Sequence, residues 1–212
     1  MDNSIQIDTF SRFIQVSRET ITSLKKYEEL LIEANKNLNL IGKSTINDLW
    51  IRHFLDSAQL IDFIDKNDKT LVDIGSGAGF PGLVLGLLMK DRKIKTKIKL
   101  IEKSPKKAKF LKKIINELSL DAEVINKDIL LNQIKLSDDV YVARAFKPLG
   151  VILKLIHNNA VNWKKFFVFL GKTGHGQILQ ASKIWDIEYK QSISVTNSDS
   201  LIIEINRLRK KN

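Results

Sequence analysis

From Thr70 onward the chain alternates short apolar runs with amphipathic segments. The apolar runs predict strands near residues 70–74, 97–101, 122–125, 139–143, 166–170, 184–193 and 201–206. Between them, apolar residues spaced three and four apart predict helices near residues 81–90, 105–118, 149–160 and 175–183. Strands and helices in this order predict an α/β fold: a seven-stranded, mostly parallel sheet with helices on both faces.

The first part of the chain has a helical pattern instead. Apolar side chains at helical spacing predict one long helix over about residues 8–34. Ser44 or Thr45 is expected to cap the start of a second helix. We therefore expect an N-terminal helical extension, residues 1–67, packed on a core domain of residues 68–212, the two forming one compact unit.

The most specific pattern is a strand–turn–helix unit over residues 71–82. An apolar strand ends in Asp73, and Gly75, Gly77 and Gly79 follow before a helical pattern begins. Glycine permits a positive φ and lets a ligand approach the main-chain amides. Two ligand classes fit this turn. From Gly77 the residues satisfy the dinucleotide pattern G-x-G-x-x-G, and from Asp73 they match the turn that holds S-adenosylmethionine in Rossmann-like methyltransferases.

Acids at three strand ends favour S-adenosylmethionine. Asp73 is placed to hold the ammonium group of a methionine moiety, whereas it would repel a pyrophosphate at the same helix N-terminus. Glu102 ends the second predicted strand and can accept from two ribose hydroxyls, which suits either ligand. Asp128 follows the third strand, where it can accept from an adenine amino group.

The end of the predicted sheet favours the same ligand. Residues 196–200 join the last two strands and are too few for a helix, so these strands are expected to form an antiparallel hairpin. A parallel sheet that ends in a hairpin is typical of class I methyltransferases, and ordinary dinucleotide folds lack it. The alternatives are an NAD(P)-dependent oxidoreductase and a non-catalytic RNA-binding protein on the same fold.

The net charge of +11 is unevenly distributed. Residues 1–67 hold eight Lys and Arg against ten Asp and Glu, whereas residues 68–212 hold 27 against 14. Residues 90–113 alone contain twelve bases and two acids, which indicates a polyanionic partner. A coding bias towards lysine is the other explanation, but it accounts for abundance better than for clustering.

Several features that the sequence lacks exclude some classes of protein. The chain has no cysteine, no long uncharged apolar run, no metal-ligand spacing and no basic leader followed by an apolar segment. We therefore expect a cytoplasmic protein without disulfides, without a metal site and without membrane association.

Features that the sequence lacks also reduce the number of possible methyl acceptors. Methylation of a pyrimidine ring carbon generally needs a cysteine nucleophile. Methylation of an exocyclic amine generally uses an Asn/Asp-Pro-Pro-aromatic turn after the fourth strand, where this chain has Ala-Arg-Ala-Phe-Lys-Pro-Leu at residues 143–149. Guanine N7 offers a lone pair and has no proton to lose, so alignment alone can suffice. Phe80 and Phe146 are candidates to stack on the base or to pack in the core, and Arg144 is a candidate to bind a phosphate or the cofactor carboxylate.

Five segments carry a resemblance to a known family: Asn39-Leu40-Ile41, Arg52-His53-Phe54-Leu55-Asp56-Ser57, the turn from Val72 to Gly82, Lys106 to Leu111, and Ala143-Arg144-Ala145-Phe146. Over nearly its whole length the chain resembles the bacterial small-subunit ribosomal RNA guanine-N7 methyltransferases, the family first called glucose-inhibited division protein B. The segment that begins at Arg52 and the Arg-Ala-Phe turn are more diagnostic than the glycine turn, which many methyltransferases share.

The resemblance implies S-adenosylmethionine as the cofactor, S-adenosylhomocysteine as its product, and small-subunit (16S) ribosomal RNA or the 30S particle as the partner. It implies that Gly75 and Phe80 contact the cofactor, that Lys127 and Asp128 flank its adenine, and that Arg144 completes the pocket. The full predicted cofactor site is Asp73, Gly75, Gly77, Phe80, Glu102, Lys127, Asp128 and Arg144.

The predicted RNA-binding residues are Lys103, Lys106, Lys107, Lys109, Arg144 and Lys147. No catalytic residue is assigned, because the chemistry is alignment, although Arg144 and Lys172 are candidates. The family usually has Leu-Lys-Gly after the fifth strand, whereas this chain has Leu170-Gly171-Lys172, which leaves the role of Lys172 open. His53 is expected to form hydrogen bonds between packed helices. The protein is expected to be a monomer.

Overall fold

The computed structural model describes residues 2–131 and 134–211, and its centre is one seven-stranded sheet. The strands are β1 (Thr70–Ile74), β2 (Lys97–Ile101), β3 (Ala122–Ile125), β4 (Val140–Arg144), β5 (Lys165–Leu170), β6 (Trp185–Ser194) and β7 (Asn197–Lys210). They lie in the order β3-β2-β1-β4-β5-β7-β6. Strands β1 to β5 are parallel, and β7 is antiparallel to both β5 and β6. The predicted sheet and its terminal hairpin are confirmed.

Four helices cover the sheet: α4 (Gly82–Asp91), α5 (Pro105–Leu118), α6 (Leu149–Asn159) and α7 (Gly174–Ser182). Each begins and ends within one residue of its prediction. Helix α5 shows why: Ser104 accepts from the main-chain N–H of Lys107, and Pro105 occupies the first turn, where its missing N–H costs nothing.

Two apolar cores lie on opposite faces of the sheet because neighbouring strand residues point in opposite directions. Leu71 of β1 belongs to the core that contains Leu83 of α4 and Leu111 of α5. Val72, the next residue, belongs to the core that contains Leu153 of α6. The parallel strands are therefore buried on both faces, as their continuous apolar runs predict.

The single helix predicted over residues 8–34 is wrong. The structure has two helices, α1 (Asn3–Phe13) and α2 (Arg18–Leu38), separated at residues 14–17. The break falls where Ser17 accepts from the main-chain N–H of Thr20 and so starts a new helix. Ser and Thr hydroxyls compete with helical hydrogen bonds, and apolar spacing alone does not report that competition.

The second predicted helix is also wrong in detail. A 3₁₀ helix spans Lys43–Asp48, a π-helix spans Trp50–Leu55, and two short turns, α3 (Asp56–Ala58) and a 3₁₀ helix at Ile61–Phe63, complete the segment. The N-cap position belongs to Gly42 without any side-chain cap. A π-helical turn is wider than an α-helical one and is frequent at functional sites.

The N-terminal helices share a core with the sheet. Phe10, Tyr27 and Phe54 are fully buried in the same apolar cluster as Leu83 and Leu111. The boundary between an extension at residues 1–67 and a core at 68–212 stays a prediction, since one continuous cluster spans it.

Candidate functional site

A cavity of about 480 Å³ opens at the carboxyl ends of β1, β2 and β4. Strand β1 lies between β2 and β4, so strand order reverses there, which is where open α/β sheets bind ligands. The cavity volume lies in the usual range for small-molecule sites. Among its lining residues are most of those predicted to bind cofactor or RNA: Gly75, Gly77, Phe80, Glu102, Lys103, Lys107, Lys127, Asp128, Arg144 and Lys147.

The glycine turn forms one wall of this cavity. Gly75 and Gly77 have φ of 76° and 56°, which disfavour any side chain. A Cβ on Gly75 would also lie 2.2 Å from the ring of Phe146. The main-chain N–H groups of Gly75 and Ser76 both donate to the carbonyl of Ile101, which joins the turn to the end of β2. Main-chain hydrogen bonds therefore hold the turn against β2, and its positive φ values and its contact with Phe146 favour glycine.

Glu102 faces the turn from the end of β2 and is 7% exposed. One carboxylate oxygen accepts from Gly77 N at 2.9 Å, and the other accepts from Ser104 N at 2.7 Å. Each oxygen can accept a second hydrogen bond. Its carboxylate is therefore fixed by main-chain donors and keeps the capacity to accept from the two hydroxyls of a ribose.

The loop after β3 forms the opposite rim. Lys127 and Asp128 line the cavity there, and Lys103 Nζ lies 3.7 Å from Asp128 Oδ2. The side-chain amide of Asn126 donates to the carbonyls of Glu102 and Lys103, so it ties this loop to the end of β2. Asn126 is a positioning contact that the sequence pattern does not single out.

Asp73 lies outside the cavity lining, beneath the glycine turn. Its side chain is fully buried, and Oδ2 accepts from Gly82 N at 2.9 Å, so it caps the first turn of α4. Its other oxygen has no hydrogen-bond partner among the described residues. Burial raises the pKa of Asp73 from 3.8 to about 7, against the opposing effect of the Gly82 hydrogen bond. The predicted contact with an ammonium group stays a prediction.

Arg144, at the end of β4, is held by the segment that begins at Arg52. Its Nε lies 2.9 Å from Asp56 Oδ2, and one terminal nitrogen donates to the main-chain carbonyl of Arg52 at 2.6 Å. The other terminal nitrogen is 3.2 Å from His53 Nδ1. Because all three of its nitrogens have partners, this guanidinium has little freedom to rotate. It therefore presents a fixed positive charge to the cavity.

His53 was predicted to bond between packed helices, and the structure gives it a wider role. Its Nε2 is 2.9 Å from Thr45 Oγ1, its ring stacks on Phe80 with centroids 4.9 Å apart, and it lines the cavity. Because Arg144 can only donate, Nδ1 accepts and the proton is on Nε2. Burial, with the charges of Arg144 and Arg52, lowers the pKa of His53 to about 3, so the ring is neutral.

Two further residues at the site were missed by sequence reasoning. Asp56 also accepts from Ser194 and Thr196, which ties the β6–β7 turn to Arg144. Tyr27 of α2 is fully buried, donates to the carbonyl of Ala78 at 2.5 Å and stacks on Phe80 at 5.6 Å. The sequence placed Asp56 in the segment that begins at Arg52, but nothing in that pattern indicated its pairing with Arg144.

The structure places the aromatic and lysine candidates in different environments. Phe80 is 6% exposed and packs between rings, while Phe146 is half-buried over Gly75. Lys106 and Lys109 are exposed on α5 outside the cavity. Lys172 is exposed after β5 and lines none of the described cavities.

Within residues 2–131 and 134–211, no group of three or more His, Cys, Asp or Glu side chains is arranged to hold a metal ion. No helix in the described ranges has the length and apolar character needed to cross a membrane.

The sheet topology, the glycine turn and the acid at the switch point define the class of protein: a Rossmann-like, S-adenosylmethionine-dependent methyltransferase. A TehB-like methyltransferase from Corynebacterium glutamicum has this fold, with a TM-score of 0.53, 19% identity, and coverage of 72% of this chain and 87% of that one. TrmK from M. capricolum, solved with S-adenosylhomocysteine, has a TM-score of 0.53 and 19% identity over 71% of this chain and 66% of its own.

The chain belongs to the rRNA small subunit methyltransferase G (GidB) family, whose model matches residues 20–203. A relative named ribosomal RNA small subunit methyltransferase G, from Pelagibacter ubique, is 38% identical over 199 residues, 93% of each chain. The relative of the same name from Rickettsia felis is 35% identical over 93% of this chain and 98% of its own. The resemblance inferred from the sequence is confirmed, and the oxidoreductase alternative is set aside.

Proposed function

We propose that this protein transfers the methyl group of S-adenosylmethionine to N7 of one guanine in small-subunit ribosomal RNA. The observation that carries the proposal is the cavity at the strand switch point, where the left-handed glycine turn, the Glu102 carboxylate and the fixed Arg144 cation meet. Membership in a family named for small-subunit rRNA methylation supports the RNA substrate.

The lining residues fit the three parts of S-adenosylmethionine. Glu102 would accept from the ribose hydroxyls, because both its oxygens retain a lone pair beside the turn. Asp128 and Lys127, beyond the end of β3, would flank the adenine. Arg144, at the other end of the cavity, would bind the methionine carboxylate with its fixed charge. A Cβ at Gly75 would intrude on the turn that the ligand must approach.

Bound S-adenosylmethionine supplies a methyl group on a positively charged sulfur, and attack by the guanine N7 lone pair breaks the carbon–sulfur bond without releasing a proton. The side chains that line the cavity suit this chemistry. His53 is held neutral, and its Nδ1 lone pair is occupied by Arg144, so it is not available as a general base. The residues would act by aligning the two reactants and excluding water.

The rim of the cavity suits an RNA strand. Lys103, Lys107, Lys127 and Lys147 line it and would neutralise phosphates on either side of the target base. In this proposal the protein acts as a monomer in the cytoplasm, on the ribosomal RNA or on the assembled 30S particle.

A methyl-transfer assay tests this proposal. Labelled S-adenosylmethionine and undermethylated small subunits should yield N7-methylguanosine at one position, detected by mass spectrometry of the digested RNA. Glu102→Gln should weaken S-adenosylhomocysteine binding by about tenfold, since one ionic hydrogen-bond acceptor is lost. Glu123→Gln is the matched control, because Glu123 is an exposed acid on β3 that pairs with Lys97 outside the cavity. Label in a base other than guanine, or no label in RNA, would refute the proposal.

A further inference from the structure

A second cleft of about 300 Å³ adjoins the cofactor cavity. It lies at the carboxyl ends of β4 and β5, against the β6–β7 turn and the π-helical segment. Arg144 and Ala145 line both spaces, so the two meet at the end of β4. A molecule in the cleft would therefore reach the cofactor cavity beside Arg144.

Arg52 gives this cleft an unbalanced positive charge. Its side chain is exposed and lines the cleft, and no acid pairs with it in the described ranges of the chain. Arg144, its neighbour, keeps its positive charge but already pairs with Asp56. The charge of Arg52 is close enough to lower the pKa of both His53 and Arg144. Two neighbouring guanidiniums, with one carboxylate that pairs with Arg144, leave a net positive charge that favours an anionic ligand.

The remaining walls suit a nucleoside. Phe169 presents a ring at the end of β5, and the guanidinium carbon of Arg144 lies 6.0 Å from that ring's centroid. Asn197, on the opposite wall, is half-buried; its Oδ1 accepts from Asp199 N, and its side-chain nitrogen can donate to a base edge. Aromatic faces and side-chain amides are the usual means of recognising an unstacked base.

The one carboxylate in the cleft is unsuited to act as a base. Asp56 accepts from Arg144, Ser194 and Thr196 and is mostly buried. An acceptor that must lose a proton would find no free base here, whereas a ring nitrogen with a lone pair needs none.

We infer that this second cleft is the acceptor-nucleotide subsite, with Arg52 bound to a phosphate of the RNA and the target purine placed beside Phe169. This inference rests on the proposed methyl transfer to RNA and specifies where the acceptor lies.

Gly171 offers a test because it lines the cleft at the end of β5. It also lines an adjacent cavity with Phe146 and Gln177, so the Arg52 variants described below, which change the cleft alone, complete the test. A Cβ built there meets no atom within 4 Å, and its φ is not in the left-handed region, so Gly171→Trp should fold and fill the cleft. We expect methyl transfer to fall by tenfold or more while the affinity for S-adenosylhomocysteine, measured by calorimetry, stays within twofold. Gly176→Trp is the matched control: its Cβ also meets nothing within 4 Å, but it lies on α7 outside the cleft, and its activity should be unchanged.

The outcomes separate this inference from the proposed function. Absence of transfer by the wild-type protein would refute the proposed function itself. Full activity in Gly171→Trp, with wild-type transfer intact, would refute only the acceptor subsite. Equal loss of S-adenosylhomocysteine affinity would also refute it, because the cleft would then serve the cofactor.

Arg52 tests the phosphate contact separately. Arg52→Ala should raise the KM for the undermethylated small subunit roughly tenfold, the loss expected for one charge-assisted hydrogen bond, and should spare S-adenosylhomocysteine binding. Arg52→Lys should recover part of that loss because the charge returns. Arg18→Ala is the control, since Arg18 is an exposed arginine at the start of α2, beside Ser17, which bonds Asp91 at the far end of α4. An unchanged KM in Arg52→Ala would refute the phosphate contact.

Discussion

Asp73, which is fully buried, and His53, which is partly buried, have pKa values that move in opposite directions. Burial disfavours the charged form of each, so it raises the pKa of Asp73 to about 7 and lowers that of His53 to about 3. Between about pH 4 and 7 folded Asp73 keeps a proton that the unfolded chain releases, so stability falls as pH rises. Between about pH 3 and 6.5 unfolded His53 binds a proton that the folded chain does not, so stability rises with pH. The two effects oppose each other over most of this range.

Asp73→Asn isolates the first effect, because His53 is common to both proteins. Asn keeps an acceptor for Gly82 N but does not titrate. From pH 5.5 to pH 8, the wild-type free energy of unfolding should fall relative to the variant's by about 2 kcal/mol, as the carboxyl loses its proton. Urea unfolding of both proteins at each pH measures this. A difference between the two proteins that is the same at both pH values would contradict the raised pKa.

At the scale of elements, α2 packs against the glycine turn on the side away from the cavity. The Tyr27 hydroxyl donates to Ala78 O, and a Cβ on Gly79 would lie 2.5 Å from that hydroxyl. The ring of Tyr27 also stacks on Phe80. The N-terminal helices therefore contact the middle of the turn whose other side lines the cavity.

Tyr27→Phe should weaken this support without disturbing the packing. The buried carbonyl of Ala78 would lose its donor, so we expect the free energy of unfolding to fall by about 1–2 kcal/mol. S-adenosylhomocysteine affinity should fall severalfold because the turn is less firmly held. Tyr189→Phe is the control, since Tyr189 is 37% exposed on β6. A stability loss with unchanged affinity would limit Tyr27 to a structural role.

The sequence predicted the elements from β1 to β6 well because their signals are local. Strand β7 (Asn197–Lys210) is longer than the predicted 201–206 at both ends, so residues 197–200, predicted to connect the last two strands, belong to the strand. Apolar runs, the Ser104 cap and the glycines at residues 75 and 77 each mark a boundary within a few residues. Glu102 could be assigned to the cavity because the carboxyl ends of adjacent parallel strands meet at one edge.

The contacts around Arg144 could not be predicted in the same way. They join residues 52–56 to β4 and to the β6–β7 turn, so they depend on tertiary packing between residues 91 to 140 positions apart in the chain. His53 lies in a π-helix and Asp56 directly after it, and apolar spacing at the α-helical period does not predict a π-helix. For Asp73 the sequence predicted a strand-end acid, but its complete burial follows from the packing of α4 on β1.

At the scale of the whole molecule, the basic segment 90–113 divides into two parts. Some of its cations are used internally: Lys90 donates to the carbonyls of Leu118 and Ser119, Arg92 pairs with Asp62, and Lys99 pairs with Asp138. Others are exposed on α5, where Lys106, Lys109, Lys112 and Lys113 face solvent. These exposed cations, together with Lys93 and Lys95, which are also exposed, are suited to long-range attraction of RNA.

Lys106 and Lys109 allow the RNA surface to be tested apart from the cofactor site. Lys107 is unsuitable because it lines the cavity, whereas these two do not. The double change Lys106→Glu and Lys109→Glu should weaken RNA binding and lower its salt dependence, by about 0.7–0.9 in slope for each lost phosphate contact. S-adenosylhomocysteine affinity should not change.

The matched control reverses the charge of two exposed lysines at the opposite end of the strands. Lys66 and Lys69 precede β1 and so lie at the amino ends of the strands, away from the cavity. Lys66→Glu with Lys69→Glu changes the net charge by the same amount, so it reports the effect of total charge alone. If both double variants lose the same salt slope in titrations at several ionic strengths, attraction depends on net charge and α5 has no special part. If only the α5 variant has a lower salt slope, the RNA passes over α5 on its way to the cavity. Exposed charges attract a phosphate only within about a Debye length, so the affected lysines must lie near the RNA.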